Sequence, residues 1–228
     1  KRSGKNMGRP ANTFGRGRIA ASMAGQRLGA NARRVIIKSR FVVLRRASPN
    51  SVSVHLRYIE RDGVTRDGQR GQAYGAETDA ADLKGFQERG KGNRHQFRFI
   101  VSAEDGLELE DVKDFTRQLM RRMETDMETR LDWVAVDHWD TDNPHTHIVL
   151  NGHTASGEDL VIAPDYMAHG MRMRASEIAT EWLGPRTEAE MRQSLLREVD
   201  QQRFTGLDRA LIRQSGADGI DLTGNPQD

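Results

Sequence analysis

Between residues 138 and 151 the chain reads His138-Trp139-Asp140-Thr141-Asp142-Asn143-Pro144-His145-Thr146-His147-Ile148-Val149-Leu150-Asn151. Three imidazoles, a carboxylate and a carboxamide therefore fall in one short stretch. The apolar run Trp133-Val134-Ala135-Val136 precedes it, Ile148-Val149-Leu150 ends it, and Asp, Asn and Pro lie between. That is the pattern of a β-hairpin. Side chains alternate along a strand, so His145, His147, Val149 and Asn151 share a face while His138 sits at the mouth of the preceding strand. Three rings then meet across one turn. Imidazole binds divalent transition metals, and three histidines with an open remaining position suit a catalytic site better than a closed structural one. A lone His-x-His is more often a surface or core feature. The third histidine, with Asp140 and Asn151 at their spacings, turns the balance toward a metal. Asp140 is expected to fix a ligand tautomer by a hydrogen bond or to act as a base, and Asn151 to support the ligands from behind.

The elements that must hold this hairpin are legible in outline. Val35 to Leu44 is continuous and β-branched, the pattern of a long central strand, and Gln96 to Ser102 alternates as a second. Ser51 to Arg61, capped by Ser or Asn and ended by Asp62-Gly63, fits a helix with His55, Tyr58 and Arg61 on one face. From Asp111 to Leu131 apolar residues step at three and four, an amphipathic helix whose methionines fill a core. Gly157 to Ile162 suggests a further short strand. Met167 to Leu183 and Thr187 to Gln202 read as helices, the second opened by a Thr187…Glu190 capping box. Residues 62–95 hold seven glycines and at most a short helix near Ala80 to Glu88, the pattern of a functional or mobile connection. The sum is an α+β domain: an antiparallel central sheet carrying the histidines, with helices packed on it. The expected organisation is a flexible basic arm over 1–32, a catalytic domain over 33–185, and a helical extension over 186–228 that frays from about Gly216.

At 228 residues, 36% hydrophobic and 30% charged, the chain is long enough for a real core and too apolar to be disordered throughout. It has no cysteine, which excludes disulfides and thiolate chemistry and is consistent with a reducing cytoplasm. No apolar run is long enough to span a membrane, so no membrane insertion is expected. A start at Lys1 and a polar tail suggest an excised fragment. The net charge of +2 hides an asymmetry. Residues 1–59 carry fourteen Lys and Arg and no acid, leaving 21 bases against 33 acids in the remainder. A basic segment of this kind is a footprint for a polyanion.

The pattern His-x-Asp-x-x-x-Pro-His-x-His-x-x-x-Asn, filled by His138, Asp140, Pro144, His145, His147 and Asn151, resembles the metal motif of the HUH-type relaxases, the mobilisation nucleases of conjugative plasmids. More narrowly it is similar to the P-type branch that includes the T-DNA border nuclease. The likeness extends through Arg57-Tyr58-Ile59-Glu60-Arg61-Asp62-Gly63, His95 to Ser102 and Asp159 to Pro164, and spans about Arg33 to Arg213. It implies an antiparallel HUH sheet with the tyrosine helix set over it. It also implies a divalent ion (Mg, Mn or another transition metal) on the three histidines, and Tyr58 as the nucleophile that leaves a 5′-phosphotyrosyl DNA and a free 3′-hydroxyl. Ser102, Arg57, Arg61 and Arg94 are expected to contact the DNA. Its implied partners are single-stranded origin-of-transfer DNA, relaxosome accessory proteins and the coupling protein of a type IV secretion system, for a cytoplasmic bacterial protein translocated with its DNA. Tyr74 and Tyr166 are the rival phenols, the chain having three tyrosines. Three other readings stay open: a rolling-circle replication initiator, whose tyrosine would follow the histidines as Tyr166 does; a non-cleaving DNA-binding module with a structural metal; and a hydrolase using metal-bound water.

Overall fold

The structure, a computed structural model, describes residues 15–27, 29–44, 51–141 and 144–199. Two compact units divide the chain, Lys1–Pro185 and Arg186–Asp228. The first is built on a four-stranded antiparallel sheet of β1 (Val35–Val43), β2 (His95–Ala103), β3 (Trp133–His138) and β4 (His145–Asn151), in the order β1-β2-β4-β3. The fold class expected from the sequence is the one observed.

One face of the sheet presents Val35, Ile37, Phe97, Phe99, Val101, Trp133, Ala135, Ile148 and Leu150 to the main core. Against it lies α4 (Val112–Met127), capped by the Asp111 carboxylate accepting from the Asp114 amide. Its Phe115, Leu119, Met120, Met123 and Met127 form the stripe that the three-and-four spacing demands. Beside it α5 (Met171–Leu183), entered through a π-helical turn at Tyr166–Gly170, adds Met171, Ala175, Ile178 and Ala179. On the opposite face α2 (Ser51–Arg61) and α3 (Leu83–Arg89) bury Leu56, Ile59 and Phe86 on Val134, Val136 and Val149, covering β3 and β4. Over β1 on that face, Ile36, Lys38 and Arg40 stay exposed.

Three local differences from the sequence reading have physical causes. Residues 62–76 form an ordered border along β3: Val64 bridges His138, Tyr74 bridges Ala135, and the Val64 amide donates to the Asp137 carbonyl at 3.1 Å. This blunts an otherwise open sheet edge. Glycine is required there because a Cβ on Gly63 would lie 2.6 Å from Val136 Cγ1 and one on Gly71 2.6 Å from the Gly63 carbonyl carbon. Residues 157–162 form isolated bridges, not a strand: Leu160 and Ile162 are buried, while the backbone is satisfied by Gly152 and by Arg16. Within the stretch expected to be a flexible arm, Arg16 pairs with residues 161–163, and α1 (Arg18–Arg27) packs Ala20 into the core. Small side chains and close backbone approach carry no hydrophobic period, which hid this contact. Residues 1–14 and the expected frayed tail lie outside the described residues. In the second unit α6 (Glu188–Val199) begins at the anticipated box, with Thr187 Oγ1 accepting from the Glu190 amide at 3.3 Å.

Candidate metal centre

Antiparallel register fixes the imidazoles. His138 ends β3 directly opposite His145, and His147 lies opposite Val136, two residues further along β4. Residues two apart share a face, so His145 and His147 project together and His138 closes the set across the strands. Ring centroids are 5.3 Å apart for His138 and His145, 4.6 Å for His138 and His147, and 5.0 Å for His145 and His147. One nitrogen from each ring lies within 4.8 Å of the others.

Electrostatics favour the ligand-competent form. Burial, then the neighbouring His138 and His145 rings, push His147 down to about 4. Burial and His145 also hold His138 below the ordinary histidine range. Among the described residues the cluster consists of three imidazoles, a donor set that suits a divalent transition ion.

The tautomer of His138 is set from outside the hairpin. Its Nε2 lies 3.0 Å from the Ile59 carbonyl oxygen at the end of α2. A carbonyl only accepts, so Nε2 carries the proton and Nδ1 keeps the lone pair. Asp140, expected in this role, is exposed and acts on His138 through charge alone. The residue before Ile59 is Tyr58, 53% exposed, with the Arg61 guanidinium 5.5 Å from its ring centroid. Asp62 follows α2 directly, and its carboxyl is held below the usual range chiefly by Arg61, whose Nε is 2.7 Å away, with Tyr58 adding the smallest contribution.

The other phenols are placed differently. Tyr74 is 0% exposed, on the core face, and donates to Asp137 Oδ1 at 2.8 Å; Thr146 donates to the same oxygen at 2.7 Å. Tyr166 is also 0% exposed and donates to Asp126 Oδ2 at 2.8 Å. Ser102 lies at the hairpin turn, its hydroxyl donating to the Pro144 carbonyl at 3.0 Å, and Arg57 is exposed on α2. Two expected residues are not brought to the imidazoles. Asn151 ends β4 four residues beyond His147, its amide donating to the Phe86 carbonyl and to Asp132. Arg94, just before β2 at that same far end, pairs with Asp159 at 2.8 Å. Side-chain alternation was read correctly for Asn151; distance along the strand separates it from the cluster. Sequence reading also missed Asp62 and the cations Lys38, Arg40 and Arg98; the available signal was the alternation of Lys38 and Arg40 on β1, with Arg98 the one cation on the same face of β2.

The family model for the Relaxase, MobA/VirD2-like nuclease domain matches residues 59–181. The matched segment starts one residue after Tyr58 and takes in His138, His145 and His147. Comparison with curated proteins finds no match.

Proposed function

The chain belongs to the MobA/VirD2-like relaxase nuclease family, and from that premise we propose that it cleaves single-stranded origin-of-transfer DNA with Tyr58 for plasmid mobilisation. The observation that carries this reading is the hydrogen bond from His138 to the carbonyl of Ile59, which ties the helix bearing an exposed phenol to the imidazole cluster.

His138, His145 and His147 would hold a divalent ion such as Mg, Mn or another transition metal. Such an ion supplies Lewis-acid stabilisation of charge on the scissile phosphate. The remaining work falls to the chain. An ordinary phenol titrates near pH 10, so Tyr58 must lose its proton as it reacts. The carboxylates proposed to receive it are Asp140 and Asp62, the latter bonded to Arg61 just after α2. The phenolic oxygen forms a bond to phosphorus, the bond from phosphorus to the 3′-oxygen breaks, and that oxygen takes up a proton. The products are a 5′-phosphotyrosyl strand and a free 3′-hydroxyl. One phosphodiester replaces another, so rejoining needs no external energy source. Arg57, Arg61 and Ser102 are the proposed contacts to the strand near the imidazoles, and Arg94 a proposed contact farther along it.

The initiator reading requires Tyr166, whose hydroxyl is buried against Asp126. No described helix is long and apolar enough to cross a membrane. Accessory proteins, a secretion coupling protein and the P-type branch belong to this proposal through the resemblance.

The test is an SDS-resistant adduct between the chain and an oligonucleotide covering the transfer origin, with Mn2+ present. Tyr58→Phe is expected to form none, while Tyr74→Phe and Tyr166→Phe retain it and a chelator abolishes it. An adduct with Tyr58→Phe refutes the assignment. Binding without any adduct would indicate a non-cleaving module.

A further inference from the structure

Beside α2, at the edge of the sheet where β1 is exposed, β1 and β2 set Arg40 directly opposite Arg98. Alternation places both, with Lys38, on the face that carries His147. Like charges facing one another across neighbouring strands repel. Among the described residues no carboxylate pairs with either guanidinium. The Arg98 Nε donates to Gln96 Oε1 at 3.1 Å. Burial and the Arg40 charge together hold the Arg98 guanidinium below its usual range. Burial, then the charges of Arg98 and Arg40, push His55 of α2 down to about 4. A half-buried Arg98 facing the like charge of exposed Arg40 without a counter-charge destabilises the folded chain unless an anion joins it.

The position of the pair says which anion. Ile100 pairs with His147 and Arg98 with Val149. Arg98 therefore lies one strand over from the imidazole cluster and two residues along, roughly 7 Å in the strand direction. That is a step suited to the next phosphate of an extended strand. We infer that Arg40 and Arg98, with Lys38 and His55 at the rim, form a subsite for a backbone phosphodiester of single-stranded DNA adjacent to the one held at the imidazoles. The inference rests on the reading that the imidazole cluster handles a DNA phosphate. It adds a contact to the backbone that is indifferent to base identity.

The experiment uses the full chain without metal and a short fluorescein-labelled oligo-dT, with anisotropy followed across a salt series. The double variant Arg40→Gln, Arg98→Gln is expected to bind about tenfold more weakly. Its log–log salt slope should be shallower by about 0.7, the value for one lost phosphate contact on a single strand. Oligonucleotides carrying one neutral methylphosphonate should show a position whose neutralisation weakens the native chain and leaves the double variant unchanged. Without DNA, the double variant should melt at a higher temperature, because repulsion has been removed; lower melting together with weaker binding would mark the pair as structural and overturn the subsite. If the Tyr58 adduct forms while the double variant binds with native affinity and slope, the subsite alone is wrong. If the methylphosphonate position is found but no adduct forms with metal, the subsite stands and the nuclease reading falls.

Discussion

At the scale of single residues, the three phenols are separated by what their hydroxyls touch. The Tyr74 hydroxyl satisfies one side of Asp137, a buried carboxylate next in sequence to His138, and burial pushes Asp137 above the usual carboxylate range. Removing that donor leaves Thr146 as the remaining hydroxyl on the same oxygen. Tyr74→Phe is therefore expected to lower stability by about 1–3 kcal/mol, the cost of stripping a buried polar group of a partner. Chemical denaturation measures the loss, and adduct formation at a temperature where the variant is folded should be close to native. A variant that is fully stable yet unable to form the adduct would return Tyr74 to the chemistry. The sequence put Tyr58 first through the resemblance of the residues around it, and did not show which phenol is exposed. Each sits among apolar neighbours, and whether such a tyrosine fills a core or faces solvent depends on which sheet face receives it.

At the scale of elements, the position of α2 is the quantity that matters, and Gly63 is where it is set. The helix ends at Arg61, and Gly63 then brings the backbone against Val136, where no Cβ fits. Gly63→Ala should cost about 1–3 kcal/mol through overpacking. It should slow adduct formation by about 10²-fold, because a shift near 1 Å in a reacting group has that consequence. The Mn2+ affinity of the hairpin, measured by calorimetry, should change far less. Equal loss of both would mean that Gly63 supports the hairpin rather than the helix. The hairpin, α2 and α4 were legible because period and punctuation agree: Pro144 in the turn, Ser51 at a helix start, and apolar steps from Val112 to Met127. The border at 62–76 was not, because its strand-like pairing comes from single bridges between glycine-rich segments. Asn151 shows the complementary limit. Alternation assigns a face, but only register and distance decide whether two residues on that face meet.

At the scale of the whole molecule, one side of the sheet is sealed by α4 and α5, while the other is covered over β3 and β4 and left basic over β1 and β2. The sequence showed the excess of cations in residues 1–59 and could not show that two of them, Lys38 and Arg40, line up beside the histidines. That alignment is a product of the strand order β1-β2-β4-β3, which no local pattern encodes. The contact between the Ile59 carbonyl and the His138 ring has a consequence at this same scale. Anything that steadies the ring also steadies the last turn of α2, and by thermodynamic reciprocity a strand resting on that turn must tighten the grip of the histidines on their ion. Hydrogen exchange should therefore slow at the amides of residues 58–62 when Mn2+ is added to the DNA-free protein, and calorimetry should record tighter Mn2+ uptake once an oligonucleotide is present. Exchange rates indifferent to the ion would show that the two ends of this bond move independently.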